Sequence, residues 1–139
     1  MIVLDTCVLS EPLKASPNLQ VLAWLDRQVA ETLSTTAVTL AELLSGVARL
    51  PDGGRKRRLA SDLEQTMQSL FGQRILPFDA GAAIAYAQIE ALTRKNGQPL
   101  SVADQQIAAI AKSMRCAVAT RDVDPFRAAG VAVINPWAP

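Results

Sequence analysis

Short apolar runs alternate along this chain with longer amphipathic stretches, and that alternation restricts the fold more than any other feature. Ile2–Leu4 is a short apolar run ending in Asp5, a buried-strand candidate; Thr32–Thr36, Arg74–Pro77, Ala117–Ala119 and Val131–Ile134 are the others. Between them, apolar residues recur at helical spacing. Ser16-Pro17 reads as an N-cap followed by proline at N1, opening a helix to about Ala30 with Val21, Leu22 and Leu25 inward. Thr39 begins a helix with the stripe Leu40, Leu43, Leu44 and Val47, stopped by Pro51-Asp52-Gly53-Gly54. Leu59, Leu63, Met67, Leu70 and Phe71 mark a helix from Arg55 to Phe71. Asp79 caps another that closes with Arg94, Lys95 and Gly97, Ser101 caps one running through Met114, and a helical turn lies near Asp124–Ala129. Strands separated by helices need crossover connections, which give a parallel sheet with helices on both faces. The expectation is a three-layer α/β fold, a single domain over residues 1–139.

Histidine is absent. That removes Ser-His-Asp and Cys-His catalysis, the two-histidine route of metal-free ribonucleases, and every His-ligated zinc site. An enzyme built from this chain and acting near neutral pH must therefore use carboxylates, a metal or a lysine. Half the residues are apolar and 19% are charged, enough for one core and no reason for disorder. Cys7 and Cys116 form no metal-type pair, so a reduced, cytoplasmic setting is expected. The N-terminal Met1-Ile2-Val3-Leu4-Asp5 lacks the basic region of a signal peptide, and no apolar run approaches the ~20 residues of a membrane helix. The net charge of +1 requires any nucleic-acid surface to be local.

Ligands of open parallel sheets bind outside the carboxyl ends of the strands. Asp5 and Asp122 fall there, and Glu42 and Asp104 sit in the first turns of helices that follow loops. Four converging carboxylates repel unless a cation neutralises them. An oxygen-only ligand set suits Mg²⁺ or Mn²⁺, which can polarise a phosphoryl oxygen for in-line attack by water. Each acid also has a plainer reading. Glu42 stands three residues after Thr39 and Asp104 three after Ser101, both the spacing of a capping box. Asp5 could cap the turn that begins at Thr6, and Asp124, before Pro125, competes with Asp122.

The stretches Ile2-Val3-Leu4-Asp5-Thr6, Thr39-Leu40-Ala41-Glu42-Leu43, Leu100-Ser101-Val102-Ala103-Asp104 and Ala119-Thr120-Arg121-Asp122 occur in the order of the PIN-domain family. With Ser10-Glu11-Pro12, Arg74-Ile75-Leu76-Pro77-Phe78-Asp79 and Asn135-Pro136-Trp137, the chain resembles the VapC/FitB branch of toxin ribonucleases from Met1 to Trp137. The resemblance implies a Rossmann-like sheet, Mg²⁺- or Mn²⁺-dependent RNA cleavage leaving a 5′-phosphate and 3′-hydroxyl, and a homodimer. It also implies a cognate antitoxin whose tail occupies the acidic groove while its own domain binds operator DNA. By position, Asp5, Glu42 and Asp104 match the three main acids, with Asp5 and Asp104 as metal ligands; Asp122 matches the more variable fourth. Thr6 and Thr120 match flanking polar positions. Cys7 departs from the pattern, which often has asparagine there, and a thiol is a weak hydrogen-bond partner beside hard cations.

A carboxylate pocket repels phosphates, so a nuclease needs basic residues around it. Arg55-Lys56-Arg57-Arg58 puts four cations at a helix N-terminus, where the macrodipole disfavours them by a few tenths to ~1 kcal/mol. Arg55 and Arg58 are thus candidates for contact with RNA or an acidic antitoxin segment, against the plainer reading of a solvated helix start. Arg121, beside Asp122, is the second candidate. With aromatics at 4%, Trp24 and Trp137 read as packing residues. Two other readings stand beside the nuclease. Cys7 favours a weakly catalytic regulatory module that completes an antitoxin–DNA complex. A phosphatase using Asp5 as nucleophile is disfavoured, because that pattern wants an aspartate where Cys7 stands.

Overall fold

A computed structural model describes all of residues 1–139. Its strands are β1 (Ile2–Leu4), β2 (Leu33–Thr36), β3 (Ile75–Leu76), β4 (Ala117–Ala119) and β5 (Val133–Ile134). They form one parallel sheet in the order β3-β2-β1-β4-β5. Its helices are α1 (Thr6–Ser10), α2 (Leu19–Asp26), α3 (Ala37–Ala48), α4 (Gly54–Phe71), α5 (Ala80–Lys95), α6 (Val102–Ser113) and α7 (Val123–Ala128).

Alternation along each strand assigns the two faces. Val3, Leu76 and Val118 point into a core shared with Ile89 of α5, Ile107 and Ile110 of α6, and Phe126 of α7. Leu4 and Ala119 point the other way, onto Val8 of α1 and Met67 and Phe71 of α4, with Trp24, Leu43 and Trp137 partly buried around them. The expected three layers are therefore observed. β2 is an interior yet polar strand, and two of its hydroxyls are absorbed by β1: Ser34 Oγ donates to the Ile2 carbonyl at 3.1 Å and Thr35 Oγ1 to that of Leu4 at 3.2 Å.

Several boundaries differ from the sequence reading, each for a local reason. The second helix starts at Leu19, not at Pro17, because Asn18 Oδ1 accepts from the backbone N–H groups of Gln20 and Val21; it ends at Asp26. Helix α3 starts at Ala37 because Thr36, in extended backbone, caps it by accepting the Thr39 N–H at 3.0 Å. A one-and-a-half-turn helix, α1, follows Asp5 directly. As expected, α5 closes at Gly97, whose φ of 67° lets the Gln98 N–H reach back to the Thr93 carbonyl at 2.9 Å.

The chain leaves β1 toward β2 and β3 on one side, and β4 and β5 lie on the other. This order reverses between β1 and β4, and the crevice at their carboxyl ends is where such a sheet binds ligands.

Candidate active site

Asp5 ends β1 at that crevice and is only 6% exposed. Its Oδ1 accepts from the Thr6 N–H at 2.8 Å and its Oδ2 from the Thr120 hydroxyl at 2.8 Å. The helix-capping reading and the site reading of Asp5 thus coexist: one oxygen caps α1 and the other faces Thr120, which follows β4. The Thr120 hydroxyl also accepts from the Asp122 N–H at 3.1 Å, and Thr6 Oγ1 donates to Glu42 Oε1 at 2.7 Å. Thr6 and Thr120 therefore tie three of the four acids together.

Glu42 is freed from capping by the earlier start of α3. It lies in the second turn, and its carboxylate bonds Thr6 instead of a helix terminus. Asp104 keeps half of its capping relation: its N–H donates to Ser101 Oγ at 3.1 Å, while its carboxylate faces the crevice. Asp122 stands at the N-cap position of α7 but makes no side-chain cap bond. All four acids line one open cleft of about 530 Å³, together with Thr6, Cys7, Ser10 and Arg121.

Burial pushes the Asp104 carboxyl up to about 6, the negative charge of Asp5 adds to this, and Glu42 and Asp122 add less; the Ser101 hydroxyl opposes them. The donor set is oxygen-only and mutually repulsive, the chemistry of a hard divalent cation site. No three acidic or thiol side chains are drawn together tightly enough to hold an ion alone. One or two carboxylates with waters completing the shell, the habit of Mg²⁺, fit this arrangement.

A stability prediction follows. Because the folded Asp104 carboxyl is raised, its charged form opposes folding, and the chain without metal should lose stability as pH rises from about 4 to about 6. At pH 7 Asp104→Asn should therefore stabilise the metal-free chain by on the order of 1 kcal/mol, after allowing for solvent screening of a half-buried group. Added Mg²⁺ should raise the melting temperature of the parent chain more than that of the variant. Thermal melts at pH 4, 5.5 and 7 test this, and a stability flat across that range would remove the repulsion.

Cys7 enters the site directly. Its Sγ lies 3.7 Å from both Asp5 Oδ2 and Thr120 Oγ1 and accepts the Arg121 N–H at 3.4 Å. Burial raises the thiol, and although the Arg121 N–H pulls it back, Asp5 raises it further. It fills the space between Asp5 and Thr120 with long, weak contacts.

The cations divide. Arg121 lines the cleft, with its guanidinium carbon 5.4 Å from the centre of the Trp137 ring. Arg55 and Arg58 are exposed at the start of α4 and lie outside the cleft; Lys56 beside them is paired with Asp52 at 2.9 Å. Sequence reasoning passed over Ser10, which lines the cleft, and Glu11, which is 4% exposed. Glu11 Oε1 accepts the Asn18 N–H at 2.9 Å, and Oε2 meets Lys14 Nζ at 2.8 Å as an ion contact without hydrogen-bond alignment. Lys14, Asn18 and the charge of Arg121 hold the Glu11 carboxyl below its usual range. The only signal for Glu11 was its place in Ser10-Glu11-Pro12.

A central parallel sheet of five strands flanked by helices is the architecture of a PIN domain. The PIN domain family model matches residues 2–131, and the chain belongs to that family. Within it the chain groups with the FitB and VapC toxins. It is 50% identical over 137 residues to toxin FitB of Neisseria gonorrhoeae, covering 99% of each chain. It is 46% identical over 139 residues to the VapC ribonuclease Y4jK of Sinorhizobium fredii, covering 100% of this chain and 99% of that one. The solved structure of FitAB bound to an IR36 DNA fragment superimposes with a TM-score of 0.94 at 47% identity, covering 100% of this chain and 97% of that one. The fold and family expected from the sequence are both borne out. No helix is long and apolar enough to cross a membrane.

Proposed function

We propose that the chain is the toxin of a type II toxin–antitoxin pair, an endoribonuclease that hydrolyses RNA phosphodiesters with Mg²⁺, or Mn²⁺ in its place, held by Asp5 and Asp104. The observation that carries this reading is the meeting of Asp5, Glu42, Asp104 and Asp122, from four separate segments, in one cleft at the sheet's reversal point. A divalent cation held there by Asp5 and Asp104 would supply Lewis acidity for phosphodiester hydrolysis. The residues do the rest. Thr6 and Thr120 fix the acids by the hydroxyl bonds described above. Glu42, exposed at the cleft and hydrogen-bonded at Oε1, is placed to take a proton from the attacking water through Oε2. Asp122 holds a second acidic position at the cleft edge. Arg121 contacts the substrate phosphate, and Arg55 and Arg58 extend the basic surface toward flanking nucleotides or an acidic partner segment.

The partner reading is supported by a 50% identical relative named as a toxin and by the solved structure of FitAB bound to a DNA fragment. We accordingly assign this chain a cognate antitoxin, contact with DNA only through it, a homodimeric state and a cytoplasmic setting.

The test is cleavage of RNA by the purified chain freed of any partner. With Mg²⁺ or Mn²⁺ we expect cut RNA carrying 5′-phosphate ends, and none with a chelator. The second reading, a weakly catalytic regulatory module, is favoured by one observation, the long thiol contacts of Cys7 where an amide would bond more strongly. It predicts no cleavage by the parent chain and its appearance in Cys7→Asn.

A further inference from the structure

We propose that Trp137 is a positioning residue for Arg121: it holds the guanidinium off the carboxylates of its own cleft and leaves the N–H edge free for an RNA phosphate. The proposal rests on the nuclease reading above and assigns the Arg121 contact a supporting partner.

Arg121 lines the same cleft as four acids, yet pairs with none of them. The three ion pairs of the molecule are Lys14–Glu11, Lys56–Asp52 and Arg94–Glu90; of these only Glu11 lies near enough to feel the charge of Arg121, and its ion pair is with Lys14. A free guanidinium beside so many carboxylates is drawn onto them, so something opposes the collapse. The structure offers two anchors. The Arg121 backbone N–H is held by Cys7 Sγ at 3.4 Å, which fixes the main chain at the cleft, and the guanidinium carbon lies over the Trp137 ring at 5.4 Å, which fixes the side chain. Trp137 is itself fixed, with its backbone N–H donating to Asn135 Oδ1 at 3.0 Å and its ring packed against the core containing Leu4 and Val8.

A cation–π contact uses no N–H···O bond, so the guanidinium donors of Arg121 stay unused by it. Those donors match two oxygens of a phosphate. Collapse onto Asp5 or Asp122 would spend them on an acid and neutralise a charge that the cleft needs for a cation. Trp137 therefore serves both the phosphate contact and the acidity of the site, from the segment that follows the last strand.

The experiment is a double-mutant cycle on binding of a short labelled single-stranded RNA by the full chain, in chelator so that nothing is cut. Trp137→Leu keeps apolar bulk without a π face, and Trp137→Phe keeps a weaker one. We expect Trp137→Leu to weaken binding about threefold to fivefold, the range of an exposed cation–π contact, and Trp137→Phe to weaken it less. In the Arg121→Ala background the Leu substitution should cost nothing further, and in cleavage assays with Mg²⁺ the loss should appear in KM and not in kcat. Equal losses with and without Arg121 would mean that Trp137 only packs, and would overturn the proposal while leaving the nuclease reading intact. A parent chain that neither binds nor cuts RNA removes both. Should Trp137→Leu fail to fold, the cycle with Trp137→Phe decides, with coupling of about twofold expected and none overturning the proposal.

Discussion

Asp5→Asn should lower metal-dependent RNA cleavage by at least about a hundredfold while leaving the chain folded. Asparagine keeps the shape of the residue and one carbonyl oxygen, so the Thr6 N–H that caps α1 retains its acceptor. The new amide group faces Thr120 Oγ1, which can turn its hydroxyl and accept. What disappears is the charge and one oxygen ligand. Changes in the outer shell of metal sites already cost about 10–100-fold, and removal of a proposed ligand should exceed that. Loss of the Asp5 charge also relieves Asp104 in part, while the larger upward push of burial on its carboxyl stays. Cleavage rates at saturating Mg²⁺, set beside melting curves, test the expectation. A folded variant that cuts RNA at the parent rate would place the chemistry elsewhere.

The largest effect on stability should come from Phe126→Ala, a loss of about 3–5 kcal/mol from a total on the order of 5–15. Phe126 is fully buried and is the largest such side chain. It sits on α7, four residues past Asp122, in the core that joins α5 and α6 to the sheet. Its carbonyl also accepts the Val131 N–H at 3.2 Å, which turns the chain toward β5. Truncation leaves a cavity beneath the segment that carries Arg121 and Asp122, so a looser site should accompany the lower stability. Urea titration reads the first effect directly. A loss below about 1 kcal/mol would mean that the layer under α7 collapses to fill the gap.

The helices and strands were legible because their signals are local. Val118 and Ala119, or Leu63 and Met67, announce a period that needs no partner to be read. Asp79, Ser101 and Gly97 acted at the helix ends where they were expected. Caps were misread where two candidates lay close together. Ser16-Pro17 competes with Asn18, and Thr39 with Thr36, and the winner in each case is the residue whose side chain accepts the N–H groups of the first turn. That depends on where the preceding strand or turn delivers the chain, which composition does not encode. The shift of α3 by one such step changed the meaning of Glu42, from a capping-box acid to a partner of Thr6.

The sequence by itself determined the layer order, the absence of imidazole chemistry and, through its ordered motifs, the family and the four acids. Only the tertiary structure decided where those acids meet and which groups they bond. Asp5, Glu42, Asp104 and Asp122 are drawn into one cleft by a sheet order that brings the ends of β1 and β4 together. The same folding leaves Arg55 and Arg58 outside the cleft and lays Arg121 over Trp137. Periodicity and capping act over one or two turns, whereas bonds such as Thr120 to Asp5, 115 positions apart, exist only after the crossovers have closed.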